Sequence, residues 1–248
     1  MQDELFIKQI SVNAGIPETD YVSRLSVVHH LQKEPINFTS PVTFFVGENG
    51  VGKSTLIEAI AVSCGFNAEG GTRNFSFSTR ASHSNLSEYI RVGKGFKRPR
   101  DGYFLRAESF FNVATNIENL DAEGGPGAPL INSYGGVSLH EQSHGESIIS
   151  LVKYRFGGNG VYIMDEPEAA LSPMRLLTLM CLMRDLVDSG SQFLISTHSP
   201  ILMAYPGAEV FLITDDSISS VPYTQTDHFI VTKRFLSDPK SMLDMLLD

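Results

Sequence analysis

Apolar positions along the chain fall into short unbroken runs set between polar, glycine-rich connections. Four such runs are Val42-Thr43-Phe44-Phe45-Val46, Val161-Tyr162-Ile163-Met164, Phe193-Leu194-Ile195-Ser196 and Val210-Phe211-Leu212-Ile213. Each is too short for a helix and lacks regular apolar–polar alternation, the pattern of a strand buried on both faces in a parallel sheet. Helical spacing occupies the gaps. It runs from Lys53 to about Ser63 with Gly65 as a stop, from Glu108 to Leu120, and from near Ser143 to Phe156, where Gly157, Gly158 and Gly160 end it. Pro173 suits the first turn of a further helix to about Val187, with an apolar face of Leu176, Leu177, Leu179, Met180, Met183 and Leu186. Residues 102–107 read as another strand. Residues 5–12 alternate and suggest an edge strand, 13–24 a loop, 25–31 a second short strand, and 35–41 a turn. The stretch 66–100 is polar and has no clear assignment, and 123–129 is a flexible, glycine- and proline-rich connection. Residues 233–248 read as a terminal helix whose Met242, Leu243, Leu246 and Leu247 face the core. No repeat of fixed period is present. The strand–helix order predicts a doubly wound α/β sheet.

Composition narrows this. With 248 residues and 42% hydrophobic content, one sizeable core is expected, with room for an inserted subdomain. No apolar run approaches the roughly 20 residues needed to cross a bilayer, and Met1-Gln2-Asp3-Glu4 lacks the basic-then-apolar pattern of a signal peptide. Cys64 and Cys181 stand apart in apolar, helical surroundings and read as reduced core residues. A soluble, cytoplasmic protein is expected. The net charge of −9 argues against a broad nucleic-acid surface. Residues 91–100 nevertheless hold Arg91, Lys94, Lys97, Arg98 and Arg100 in an exposed loop or hairpin. That run is either a solvated turn or a local contact for nucleic acid or an acidic partner.

The chemistry centres on Gly47-Glu48-Asn49-Gly50-Val51-Gly52-Lys53-Ser54-Thr55 between a buried strand and a helix. This matches the phosphate-binding loop Gly-x-x-x-x-Gly-Lys-Ser. Its glycines let successive N–H groups point inward at phosphate oxygens, and the helix adds its free N–H groups. Lys53 is spaced to reach the β- and γ-phosphates and the Ser54 hydroxyl to bind Mg²⁺. Ile163-Met164-Asp165-Glu166-Pro167 ends a strand in two acids: Asp165 for the metal opposite Ser54, Glu166 to orient or deprotonate water. His198, in Ser196-Thr197-His198-Ser199-Pro200, follows the next strand and can point at the γ-phosphate. Gln142-Ser143-His144-Gly145-Glu146-Ser147 opens a helix. Ser143 and Glu146 make a capping box there, and the same N–H groups, with Gly145, can receive an anion.

Four motifs in this order resemble the ABC-type ATPases over most of residues 40–215. Residues 47–54 resemble Walker A, 142–147 the signature, 161–166 Walker B with its catalytic glutamate, and His198 the switch histidine; Ala170-Leu171-Ser172 stands where that family carries its D-loop. The strings around Asp165 and His198 look closest to small stand-alone bacterial ATPases related to RecF, Rad50 and SMC heads. The resemblance implies a RecA-like P-loop NTPase core sheet flanked by helices, in one domain over 1–248. Its core would be about 1–66 and 157–248, with an N-terminal antiparallel β element and an inserted helical subdomain about 67–156. It implies ATP and Mg²⁺ as cofactors, and a head-to-tail homodimer in which Ser143 and Gly145 of one copy complete the site of the other. The departures are His144 and Glu146 in the signature, Ser172 in the D-loop, and no glutamine between Lys53 and Gln142. Glu108 is the best substitute for that missing metal-sensing glutamine. No adenine-stacking residue stands out; Tyr21 and Phe38 are the candidates. The alternatives are a transporter subunit, an ATPase of a DNA-repair or defence complex, or a non-enzymatic nucleotide sensor.

Overall fold

The computed structural model describes residues 4–13, 15–73, 84–124 and 128–247. Residues 74–83 of the unassigned polar stretch, 125–127 of the expected connection, and the ends 1–3 and 248 lie outside the described residues. The elements in chain order are β1 (Ile7–Val12), α1 (Ser26–Lys33), β2 (Ile36–Asn37), β3 (Val42–Val46), α2 (Lys53–Ser63), α3 (Leu86–Tyr89), β4 (Ile90–Lys94) and β5 (Asp101–Arg106). They continue with α4 (Phe110–Glu123), α5 (His144–Ser150), β6 (Gly160–Asp165), α6 (Pro173–Asp188), β7 (Gln192–Ser196), α7 (Pro200–Met203), β8 (Glu209–Ile213), β9 (Ile218–Ser220), α8 (Asp227–Ser237) and α9 (Pro239–Leu247).

The four apolar runs form the centre of a six-stranded sheet in the order β5-β6-β7-β3-β8-β9, parallel except for the β9 edge. Alternation along each strand points successive residues to opposite faces of the sheet. Phe45, Phe104, Ile163 and Leu194 face a core that includes α1, α2 and the small sheet. Their neighbours Phe44, Tyr103, Tyr162, Met164, Phe193 and Ile195 face a second core under α4, α5 and α6. Both faces are covered, so both sets are apolar.

The smaller sheet, β2-β1-β4, is antiparallel. A single buried amide ties it to the large one: the Gln192 side chain accepts from Phe6 N–H and Ile7 N–H and donates to the Ile7 carbonyl.

Several sequence expectations change. Residues 5–12 form the middle strand of the small sheet, because β4 supplies the second neighbour. Residues 26–33 are a helix instead of a strand: Val27, Val28 and Leu31 share one buried face at helical spacing, and packing overrides the β preference of the valine pair. The basic run begins within a paired strand, β4. Within 67–156, β5 is the strand expected at 102–107 and pairs with β6, whereas β4 was not expected and pairs with β1; the longer helices of that stretch are α4 and α5. Cys64 is buried, which pushes its thiol pKa up to about 11, but Cys181 is exposed on α6. The tail is two helices without buried residues; Leu243, Leu246 and Leu247 face solvent instead of the core. Among the described residues no helix is long and apolar enough to cross a membrane.

One ion pair fixes the end of β5 far from the phosphate loop. Asp101 accepts from Arg155 at 3.0 Å, from Gly157 N–H at 2.9 Å and from the Tyr162 hydroxyl at 2.9 Å. Burial raises the Asp101 pKa, but these donors and the Arg155 charge outweigh it and hold the carboxyl below its ordinary range. A depressed folded pKa stabilises the fold above the unfolded value of about 4, and that stabilisation is lost as pH falls through the folded pKa. Asp101→Asn is therefore expected to cost about 2–3 kcal/mol at pH 7. Urea unfolding should show the gap to wild type closing below about pH 4; a gap of constant size down to pH 3 would contradict the assignment.

Candidate active site

The parallel strands deliver their carboxyl ends to one edge in matched register. Arg106 pairs with Asp165, Asp165 with Ser196, and Ser196 with Phe45. The phosphate loop leaves β3 one residue beyond Phe45. Strand β7, which carries His198 beyond its end, lies between β3 and β6.

The loop's shape is set by its glycines. Gly47, Gly50 and Gly52 all have positive φ. At Gly47 a Cβ would lie 2.2 Å from the Ile213 carbonyl oxygen of β8, so no other residue fits. Glu48, Asn49 and Gly50 are exposed, whereas Val51 is buried. Lys53 is buried, and its Nζ donates to the carbonyls of Gly47 and Glu48, both at 2.8 Å. Burial lowers its pKa, opposed by Glu166, Asp165, Glu48 and Glu168. Ser54 and Thr55 follow on the first turn of α2.

Asp165 is 5% exposed, accepts from the Ser196 hydroxyl and lines one cavity with Ser54. Burial raises its pKa; the Ser196 bond, the Arg106 charge and the nearby Ser54 hydroxyl act against the rise. Glu166 has φ +49 and ψ +53, a left-handed conformation rare for a residue with a side chain. Its N–H donates to the Ser196 carbonyl and hydroxyl, and its carboxylate lies 3.3 Å from His198 Nε2. A cavity of about 200 Å³ is lined by Ser54, Glu108, His144, Asp165 and Glu166, with Ala107, Ala169 and Ala170. The structure thus brings together the loop, both acids of β6 and His198, and puts Glu108 and the signature residue His144 of the same chain on their border. Glu108 itself points largely into solvent, in the turn before α4.

Ser143 and Gly145 sit at the start of α5. Ser143 is exposed and caps the helix with Glu146 in the expected capping box. Arg175 of α6 also donates to the Ser143 hydroxyl at 3.1 Å and pairs with Glu146 at 2.9 Å. Gly145 is buried; a Cβ there would lie 2.6 Å from the Ala170 carbonyl oxygen, so packing alone demands glycine. Phe38 is a core residue packed edge-on against Phe45 and Phe211, which removes it as an adenine platform; Tyr21 is exposed. In the basic run Arg91, Lys94, Lys97, Arg98 and Arg100 are all exposed, with Phe96 among them at 93% exposure.

Three residues at this edge escaped the sequence reading. Arg106 sits between acids, 2.5 Å from Glu58 of α2, 3.7 Å from Asp165 and 3.8 Å from Glu108. Glu168 is half-buried and accepts from the Thr197 hydroxyl and the His198 N–H, so it holds the loop that carries His198. His228 of α8 lies beside His198. In sequence, Arg106 is one charge at a strand end, and only strand register places it opposite Asp165. Glu168, two residues past Glu166, was the one signal in plain view.

Mg²⁺ takes hard oxygen donors, and the Ser54 hydroxyl beside the Asp165 carboxylate is such a set. Among the described residues no group of three or more His, Cys, Asp or Glu side chains is placed to hold a metal by itself.

A parallel sheet with a phosphate loop after β3, paired acids at the end of β6 and a histidine after β7 is the P-loop NTPase fold of the ABC ATPase type. Two family models match parts of the chain. One described as "AAA domain" matches residues 26–124, and one described as "AAA domain, putative AbiEii toxin, Type IV TA system" matches residues 132–204. Among curated proteins none matches the chain. Similar solved structures share the fold at low identity. An ATP-binding cassette of an ABC transporter, MJ1267, is 16% identical, with a TM-score of 0.53 over 95% of this chain and 97% of that one. The cbiO1 protein of Clostridium perfringens, part of the ABC transporter complex cbiONQ, is 18% identical, with a TM-score of 0.51 over 97% and 99%. A nucleotide-free ATP-binding cassette from an ABC transporter is 18% identical, with a TM-score of 0.51 over 95% and 97%.

Proposed function

We propose that this chain, acting as a single cytoplasmic ATPase domain, hydrolyses ATP with Mg²⁺ at a site completed by a second copy. The observation that carries the reading is the meeting of Lys53, Ser54, Asp165, Glu166 and His198 at one level of one sheet edge. The N–H groups of residues 47–55 cradle the phosphates, and Lys53 exchanges its two loop carbonyls for β- and γ-phosphate oxygens. Ser54 and Asp165 would hold Mg²⁺, with Glu108 at the rim of the same cavity. When bound, the metal neutralises charge on the phosphate oxygens. Glu166 orients and deprotonates the attacking water, held in its left-handed turn by Ser196 and by His198. His198 donates its Nε2–H to the γ-phosphate region. Ser143 of the partner copy, at an exposed helix start, reaches the γ-phosphate from the opposite side, with the Gly145 turn beside it. ATP then joins two copies in a two-fold pair, and hydrolysis releases them.

Phosphate release measured with Mg-ATP, with EDTA and with Mg-GTP tests this. Turnover with Mg-ATP alone supports the reading; binding without turnover would leave a nucleotide sensor. A second reading, an ATPase working on a membrane-embedded partner, is favoured by the transporter cassettes that share the fold. Recovery of an integral membrane protein with the tagged chain would establish it. The exposed basic run with Phe96 supports a nucleic-acid or acidic protein contact. DNA binding that weakens steeply with salt and falls in an Arg98→Glu, Arg100→Glu variant would show it.

A further inference from the structure

The ring of His198 is held from both sides. Its Nε2 lies 3.3 Å from a Glu166 carboxylate oxygen and its Nδ1 lies 2.9 Å from His228 Nε2. The three residues come from three elements: the end of β6, the end of β7 and the first turn of α8. The start of α8 is itself anchored. Thr226 is fully buried, its hydroxyl donates to the Tyr223 carbonyl at 2.7 Å, and it accepts from Phe229 N–H, which fixes the backbone on either side of His228.

The partners select one arrangement of protons. A neutral imidazole has one N–H and one lone pair, and a carboxylate only accepts. The His198 nitrogen facing Glu166 is therefore the N–H, and its Nδ1 is the lone pair. Only a donor satisfies that lone pair, so His228 carries its proton on Nε2. This leaves His228 Nδ1 as the bare acceptor, and that atom is buried without a hydrogen-bond partner among the described residues. An unmet acceptor is tolerated more readily than an unmet N–H, so the chain Glu166–His198–His228 is self-consistent in this direction. Burial first, then the nearby Lys53 charge, holds the His198 pKa below the ordinary imidazole value, so the ring is neutral near pH 7 and its tautomer matters.

We infer that His228 is a positioning residue that locks His198 in its Nε2–H tautomer and so keeps a donor aimed at Glu166 and the γ-phosphate region. Without His228, a proton on Nδ1 finds water, and Nε2 turns a lone pair towards a carboxylate and a phosphate. The inference rests on the reading of His198 given under the proposed function.

The test compares wild type, His228→Phe, His228→Gln and His198→Ala. Phe keeps a ring without a donor, and Gln keeps an amide N–H within reach. Steady-state hydrolysis of Mg-ATP should show kcat in His228→Phe down about tenfold with KM within about twofold, and most of the loss recovered in His228→Gln; a tenfold loss corresponds to about 1.4 kcal/mol of barrier. Side-chain ¹⁵N spectra of histidine-labelled protein should report Nε2–H for His198 in wild type and His228→Gln, and a mixture in His228→Phe. Wild-type kcat in His228→Phe, alongside an inactive His198→Ala, overturns the positioning role and leaves the hydrolase reading standing. Full activity in His198→Ala removes the catalytic reading of His198, and the spectra then decide. An unchanged His198 tautomer in His228→Phe overturns the inference whatever the rates.

Discussion

Glu166→Gln is expected to bind ATP as tightly as wild type and to hydrolyse it on the order of 10²- to 10³-fold more slowly, a loss of about 3–4 kcal/mol of transition-state stabilisation. The side chain keeps its size, and its amide oxygen still accepts from His198 Nε2–H, so the left-handed turn after β6 and the loop held by Glu168 are preserved. What disappears is the charge that draws a proton from water. Nucleotide titration and phosphate release on the same protein separate the two effects. Equal hydrolysis in variant and wild type would remove Glu166 from the chemistry.

Ser143→Arg is the second large effect. The serine stands exposed at the start of α5, and its hydroxyl is shared between Glu146 and Arg175. Losing the cap costs about 1 kcal/mol, which shifts the midpoint of thermal unfolding by about 2–4 °C and leaves the protein folded. A second guanidinium beside Arg175 would meet the opposing copy across the γ-phosphate. ATP affinity of the single chain should be unchanged, ATP-dependent pairing lost, and turnover reduced by about two orders of magnitude, as when a pre-organised donor is removed. An ATP-dependent dimer of unchanged stability would contradict a shared site.

The readable parts of this chain are those governed by local rules. Strands β3, β6, β7 and β8 announce themselves because burial on both faces keeps their middles almost wholly apolar, with Thr43 the buried exception. Helix α2 and the capping box at Ser143 follow from loop glycines and a serine-to-glutamate spacing of three. What remained hidden depends on who the neighbour is. The helix at 26–33 carries a valine pair that reads as strand until Val27, Val28 and Leu31 meet one packing surface. The tail shows an amphipathic stripe, yet Leu243, Leu246 and Leu247 stay exposed, since a stripe states that a face is apolar and not what covers it. Phe38 looked like an aromatic free to stack and is core. Arg106 and His228 gained meaning only when register and a distant helix brought them to Asp165 and His198. The placing of the acids and of the glycine-rich loop was legible because each directly ends an apolar strand of one parallel sheet; the residues that steady them answer to geometry alone.

The central claim is that ATP joins two copies through this site. Its most direct test is the solution mass of the Glu166→Gln protein with and without Mg-ATP. A doubling of mass with Mg-ATP, absent without nucleotide and absent when Ser143→Arg is added, is the expected result. A single-chain mass at saturating Mg-ATP, with nucleotide bound, would contradict it.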